Sequence, residues 1–110
     1  MLEKFKEYNE YFDFLKKYGI VSQNGVEIYG IKENLDNKKI PSVIAATKLY
    51  GDYDLEDDEI VISFDDFYNC PIVLNKNNEV FLVCLDSRKK IFDSFNEWFK
   101  YIKTNYELEL

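Results

Sequence analysis

The chain contains no histidine among its 110 residues. Histidine is the side chain whose ordinary pKa lies closest to neutral pH, and it is the most common metal ligand in proteins. Its absence excludes histidine-based catalytic triads, histidine general bases and zinc sites with histidine ligands. Enzymes of these classes are therefore not expected.

Glycine and proline are also scarce, with four and two residues respectively. No linker-like segment divides the chain, and no internal repeat is visible. A chain of 110 residues suits one domain with a modest core. Because the apolar fraction of 46% is too high for a disordered chain, we expect a single folded domain over residues 1–110.

No apolar run approaches the length of a membrane span. The N-terminal sequence MLEKFKEYNEYFDFL is amphipathic and contains acids, which is not the pattern of a signal peptide. We therefore expect a soluble cytoplasmic protein without a membrane partner. In a reducing cytosol the two cysteines, Cys70 and Cys84, are expected to be buried thiols, and a disulfide would require neighbouring strands.

Positive charge is sparse in the second half of the chain. The net charge is −7, with +1 in residues 1–50 and −8 in residues 51–110. Nucleic-acid binding needs Lys and Arg to displace counterions, and no basic stripe is visible. We expect no nucleic-acid partner, since an acidic face favours a basic protein and speeds its approach.

Hydrophobic spacing predicts helices at both ends of the chain. Apolar residues recur at intervals of three and four over residues 2–18. Near the other end, Ser94 and Glu97 form a Ser-x-x-Glu capping box that begins a helix with Trp98 on its apolar side. Residues 40–50 mix helix and strand formers, and we predict a short helix there.

Four segments are predicted to be strands, namely residues 25–31, 59–64, 70–75 and 79–86. A short Asn-containing link joins the last two and predicts a hairpin. The polar residues 32–39 are predicted to be a loop. The expected fold is α+β, with an antiparallel sheet of about four strands packed with N- and C-terminal helices.

The stretch YGDYDLEDDEIVISFDDFY, residues 50–68, places eight carboxylates among aromatic residues. From Asp52 it begins like a calcium loop, but the positions that require Gly and Glu hold Asp57 and Ser63, so no metal site is expected. The acids are adjacent, which does not provide the separated pKa values that a carboxylate-pair hydrolase needs. No catalytic residue and no cofactor are predicted.

Two interpretations of this stretch remain, a solvated turn and a protein interface. The interleaved tyrosines are typical of an interface, because Tyr brings a large contact area with few rotatable bonds. The candidate partner-binding residues are Tyr50, Asp52, Tyr53, Asp54, Glu56, Asp57, Asp58, Glu59, Asp65, Asp66 and Tyr68.

Four stretches of the chain carry a family resemblance, namely YFDFLKKYG (residues 11–19), VEIYGI (26–31), IVISFDDFYNCPIVLNKNNEVFLV (60–83) and IFDSFNEWFKYI (91–102). In this order they are similar to the first helix, first strand, central hairpin and closing helix of the SUKH superfamily. That superfamily comprises fungal cell-wall-synthesis regulators of the Smi/Knr type and many small bacterial immunity proteins. The resemblance implies a single SUKH-like α+β domain with a binding role and no catalysis.

For members of the immunity type, the resemblance implies neutralisation of a cognate toxin, frequently a nuclease, in a bacterial polymorphic-toxin system. A nuclease presents a basic groove, which an acidic surface with tyrosines can occupy. We therefore expect a basic toxin domain as the partner. The alternatives are a regulatory or scaffold module without a toxin partner and a ligand-binding domain with an aromatic pocket.

Overall fold

The computed structural model describes residues 2–31 and 42–110, and within them it has three α-helices and one six-stranded antiparallel sheet. The α-helices are α1 (Asn9–Lys17), α2 (Val43–Leu49) and α3 (Phe95–Asn105). The strands are β1 (Val21–Gln23), β2 (Val26–Ile28), β3 (Ile60–Asp65), β4 (Cys70–Leu74), β5 (Val80–Cys84) and β6 (Ser87–Phe92). They lie in the sheet in chain order, each antiparallel to the next.

The α+β class and the helices at both ends are confirmed, but the prediction of about four strands is wrong, because the described residues form six. Two strands escape the sequence pattern. β1 has only three residues, too few to show alternation. β6 begins Ser-Arg-Lys-Lys, and this charged sequence suits an edge strand, where it discourages pairing with other chains.

The N-terminal helix is shorter than the predicted 2–18. A 3-10 turn at Leu2–Phe5 precedes α1, which ends at Lys17.

The loop predicted for residues 32–39 lies outside the described residues. Among the described residues, no helix has the length and apolar content needed to cross a bilayer.

Side-chain caps begin the other two α-helices. The Ser94 hydroxyl accepts a hydrogen bond of 3.1 Å from the Glu97 N–H, which confirms the predicted start of α3. The Ser42 hydroxyl accepts from the Ala45 N–H at 3.1 Å in the same way. The short helix predicted over residues 40–50 is therefore present as α2.

The two cysteines form a disulfide, which corrects the prediction of two buried thiols. β4 and β5 are hydrogen-bonded neighbours in which Ile72 faces Leu82, so Cys70 lies opposite Cys84 with 5.2 Å between their Cα atoms. The bond joins the two strands where the β3–β4 and β5–β6 turns meet. It therefore fixes these two turns side by side.

α2 and α3 cover opposite faces of the sheet. Phe64, paired with Pro71, stacks on Tyr50 at the end of α2 with 5.6 Å between ring centroids. Ile72, which follows Pro71 in β4, lines a cavity together with the buried Trp98 of α3. Since consecutive strand residues point to opposite faces, the two helices enclose the sheet between them.

A close backbone approach fixes the position of the segment that leaves β2. A Cβ added to Gly30 would lie 1.6 Å from the carbonyl oxygen of Gly19. The N–H of Ile31 donates to that same oxygen at 3.2 Å. Only glycine allows the two segments to cross at this distance.

Candidate functional site

The acidic segment, residues 51–59, follows α2 and lies beside β3. The Thr47 hydroxyl accepts a hydrogen bond from the Val61 N–H at 2.9 Å, and the Tyr50 ring stacks on Phe64. α2 therefore runs in the same direction as β3, and the acidic segment returns toward the start of that strand. Its first residues follow Tyr50 and so lie near the end of β3.

A buried ion pair holds the acidic segment against β6. The Glu59 carboxylate is 2% exposed and accepts hydrogen bonds from Arg88 Nη1 at 2.6 Å and Nη2 at 2.9 Å. It also accepts from the Glu56 N–H at 2.7 Å. Arg88 Nη2 reaches the carbonyl of Asp54 at 3.4 Å. One guanidinium thus fixes two points of the segment, in the bidentate geometry that suits a carboxylate.

The Glu59 carboxylate stabilises the positive charge of Arg88. Hydrogen bonding to Glu59, followed by the nearby negative charges, raises the pKa of Arg88 above its already high ordinary value. Glu59 was predicted to face a partner, but its carboxylate is buried against Arg88 and is not presented at the surface. Its contribution is to hold the segment in place.

Asp58 is the second anchored acid. Its Oδ2 accepts a hydrogen bond from the Lys76 N–H at 3.1 Å, and its carbonyl accepts from the Tyr8 hydroxyl at 2.7 Å. These contacts tie the end of the segment to the β4–β5 turn and to the N-terminal region. Asp58 is therefore only partly available to a partner.

Four acids of the segment remain open to solvent, namely Asp52, Asp54, Glu56 and Asp57. Among the described residues, none of their carboxylates takes part in a hydrogen bond or an ion pair. Asp54 has the left-handed backbone φ of 59°, which Asp and Asn tolerate better than most residues. The result is an ordered surface with four unneutralised carboxylates.

The tyrosines at the start of the segment pack on one another. Tyr50 and Tyr53 make an edge-to-face contact with 5.3 Å between ring centroids, and both are half-buried. Burial raises the pKa of the Tyr29 phenol to about 12, and electrostatic interactions with Tyr50, Glu27 and Asp66 add to this shift. The buried Tyr29 phenol is therefore neutral at physiological pH and adds no charge to this surface.

The β3–β4 turn projects two aromatic rings into solvent. Asp65 Oδ1 accepts hydrogen bonds from the N–H groups of Phe67 and Tyr68, both at 2.9 Å, and so shapes the turn. Phe67 is 80% exposed and Tyr68 is 62% exposed. Leu85, which is also exposed, lies in the neighbouring β5–β6 turn. We call Phe67, Tyr68 and Leu85 the apolar tip.

Two members of the apolar tip, Phe67 and Leu85, are absent from the predicted set. Phe67 directly follows two acids in a turn, and an apolar residue at such a position is the signal that could have identified it. Leu85 gives no such signal, because it ends a strand-like apolar run. Only the pairing of β4 with β5 brings it beside the other two.

The described residues offer no metal-binding arrangement. Within residues 2–31 and 42–110, no group of three or more Cys, Asp and Glu side chains is placed to hold an ion. The eight carboxylates of residues 50–68 are spread over the segment and the β3–β4 turn. Three of them already accept hydrogen bonds, Glu59 from Arg88, Asp58 from the Lys76 N–H, and Asp65 from the N–H groups of its own turn.

Comparison with known proteins gives one family. The model of the SUKH_5 family, described as SMI1-KNR4 cell-wall, matches residues 4–103. The chain matches no curated protein. It also matches no solved structure. The family match runs from the N-terminal 3-10 turn to the last turns of α3 and so includes all six strands, and the chain therefore belongs to the SUKH superfamily.

Proposed function

We propose that this chain is a non-catalytic, cytoplasmic immunity protein that binds and neutralises a cognate toxin domain of the nuclease type. Membership of the SUKH superfamily supports an immunity-like binding role. The observation that carries the proposal is the set of four open carboxylates, Asp52, Asp54, Glu56 and Asp57, on a segment fixed by Glu59 and Arg88.

Fixing these acids before binding favours association. An ordered surface loses little conformational entropy when a partner docks. A nuclease binds a polyanion through Lys and Arg, so an acidic surface matches its groove in charge. Such a match mainly raises the association rate, while buried aromatic anchors supply most of the affinity. The exposed rings of Phe67 and Tyr68 are the candidates for such anchors.

A cytoplasmic location follows from the proposed target, which acts on intracellular nucleic acid. The cytosol keeps most disulfides reduced. Backbone hydrogen bonds and the buried residues Ile72 and Val83 also hold the β4–β5 hairpin, so we expect its pairing to persist without the Cys70–Cys84 bond. The binding surface is therefore expected to persist when the bond is reduced.

The test begins with affinity capture from the native lysate and the identification of a toxin domain, followed by binding kinetics with the purified domain. The neutralised variant carries Asp52→Asn, Asp54→Asn, Glu56→Gln and Asp57→Asn. These carboxylates make no hydrogen bond among the described residues, so the variant should fold. We expect its association rate constant at low salt to fall on the order of tenfold, with a flatter salt dependence.

The matched control removes four exposed acids elsewhere, through Glu3→Gln, Asp13→Asn, Glu107→Gln and Glu109→Gln. It changes the net charge by the same amount, so it separates a local contact from a general charge effect. Equal kinetics for the two variants would contradict a contact through the acidic segment. Absence of a toxin domain among the captured proteins would contradict the immunity role.

A regulatory or scaffold module without a toxin partner is the second candidate. The cell-wall description of the matching family favours it. Under this function the captured proteins would be components of a regulatory or cell-wall assembly. A gene neighbourhood without a toxin-encoding gene would point the same way.

A further inference from the structure

A cavity of about 120 Å³ lies between α3 and the sheet, on the face opposite α2. Four aromatic residues of β6 and α3 and the residues that follow α3 contribute to its walls, namely Phe92, Trp98, Tyr101 and Tyr106. Trp98 is buried, whereas Tyr101 and Tyr106 are about half exposed, at 49% and 48%. The cavity therefore has a closed inner wall and opens to solvent beside the two tyrosines.

Two acids, Asp65 and Asp66, line the same cavity, and no Lys or Arg does. Asp65 uses Oδ1 to shape the β3–β4 turn. Among the described residues, neither acid takes part in an ion pair. The cavity thus combines aromatic faces with two carboxylates that have no neutralising cation in the described part of the chain.

We infer that this cavity receives one arginine side chain of the basic protein partner. A guanidinium is planar, stacks on aromatic faces and binds carboxylates through its fork of N–H donors. Its methylene stem is apolar and suits the three isoleucines, Ile72, Ile91 and Ile102, that also line the cavity. A cavity of about 150 Å³ holds a benzene molecule, so the present volume leaves room for one smaller planar group.

This site lies beside the surface proposed above. Asp66 is followed directly by Phe67 and Tyr68 of the apolar tip, and Asp66 also raises the pKa of Tyr29 near the acidic segment. A partner that contacts the tip could therefore insert a side chain into the cavity at the same time. The inference rests on the proposed protein-binding function for the source of the arginine, but the cavity can be tested without any partner.

The test uses Trp98, the single tryptophan of the chain, as a reporter in the cavity wall. The protein is titrated with N-acetyl-arginine N-methylamide at constant ionic strength, and the fluorescence and indole N–H resonance of Trp98 are followed. N-acetyl-citrulline N-methylamide is the matched neutral ligand, since it has the same shape without the charge. We expect saturation at millimolar arginine derivative and at least fivefold weaker binding of citrulline, on the order given by two exposed charge pairs.

The variant Asp65→Asn/Asp66→Asn should weaken arginine binding on the order of fivefold and leave the citrulline response unchanged. Asparagine keeps the acceptor oxygen that shapes the turn, so the fold should be retained. The matched control is Glu3→Gln/Asp13→Asn, which removes two exposed acids that belong neither to the cavity lining nor to the acidic segment. It should bind arginine within about twofold of the wild type, since salt screens exposed charges that do not contact the ligand.

A second variant tests the aromatic wall. Tyr101 is half exposed and packs on Phe92 with 5.3 Å between ring centroids, so Tyr101→Ala should open the cavity without unfolding the chain. We expect several-fold weaker arginine binding. Equal affinity for arginine and citrulline, no saturable response of Trp98, or unchanged binding in both variants would each overturn the inference.

The result is separable from the test of the proposed function. Arginine binding by the isolated protein, together with unchanged toxin kinetics in the neutralised variant, would preserve the cavity and refute the acidic contact. Slower toxin association in the neutralised variant, without any response of Trp98 to the arginine derivative, would preserve the acidic contact and refute the cavity.

Discussion

Replacing Arg88 by methionine should release the acidic segment and destabilise the fold. Methionine keeps much of the apolar length of the side chain and removes its charge. The Glu59 carboxylate, 2% exposed, would lose two of its three hydrogen bonds and keep only the one from the Glu56 N–H. Breaking a buried pair by removing one partner costs about 3–5 kcal/mol. Because Arg88 is itself 34% exposed, water can reach the vacated position, and we expect about 3 kcal/mol.

A double-mutant cycle separates the charge pair from the loss of packing. Glu59→Gln retains an acceptor oxygen for the Glu56 N–H but carries no charge. In that background Arg88→Met should cost about 2 kcal/mol less than in the wild type, which is a coupling energy typical of groups in direct contact. Urea unfolding, followed by circular dichroism and by Trp98 fluorescence, measures all four proteins.

The control for this cycle is Lys90→Met, on the same strand. Lys90 pairs with Glu79 and Asp93 at the surface, where all three side chains are accessible to water, so its removal should change the unfolding free energy little. The reasoning fails if Arg88→Met costs less than about 1 kcal/mol. It also fails if that cost is the same with Glu59 and with Gln at position 59.

Three further predictions concern the backbone crossing, one buried phenol and the disulfide. Gly30→Ala should lower the unfolding free energy by about 3 kcal/mol or more because its Cβ would meet backbone, whereas Gly51→Ala, in open space, should change little; equal urea midpoints would contradict this. The pKa of Tyr29 is about 12 in the folded chain, mainly because of burial, against an ordinary value of 10.0. Above pH 10 the unfolded chain therefore loses this proton first, and stability should fall by about 2–3 kcal/mol toward pH 12, less steeply in Tyr29→Phe; parallel pH profiles would refute the assignment. Reduction of Cys70–Cys84 should lower the unfolding free energy by up to about 3 kcal/mol, the entropic value for a loop of about 15 residues, with the circular dichroism of the sheet retained; loss of that signal would show that the pairing depends on the bond.

Local sequence signals suffice to predict α3 and the strands β3, β4 and β5, because each of these elements has a hydrophobic or capping pattern of its own. The Ser94 cap and the apolar spacing after it specify α3, because both act within a few residues. Alternating residues predict β3, and apolar runs with a turn between them predict β4 and β5. The acidic composition of residues 50–68, which motivates the proposed function, is likewise a property of the sequence alone.

Other features depend on which segments meet. The sequence of β6 does not resemble a strand, and its pairing with β5 makes it one. Nothing local distinguishes Glu59 from the acids before it, yet only its carboxylate meets Arg88, a residue 29 positions away in the chain.

The amino-acid sequence by itself determined the α+β class, the end helices, the hairpin and the sign of the charge, because these follow from spacing and composition. The tertiary structure decided which acids remain open, which aromatic rings line a cavity and whether Cys70 meets Cys84. The physical reason is that strand register and helix packing are set by contacts between residues far apart in the chain, and a local pattern carries no record of them.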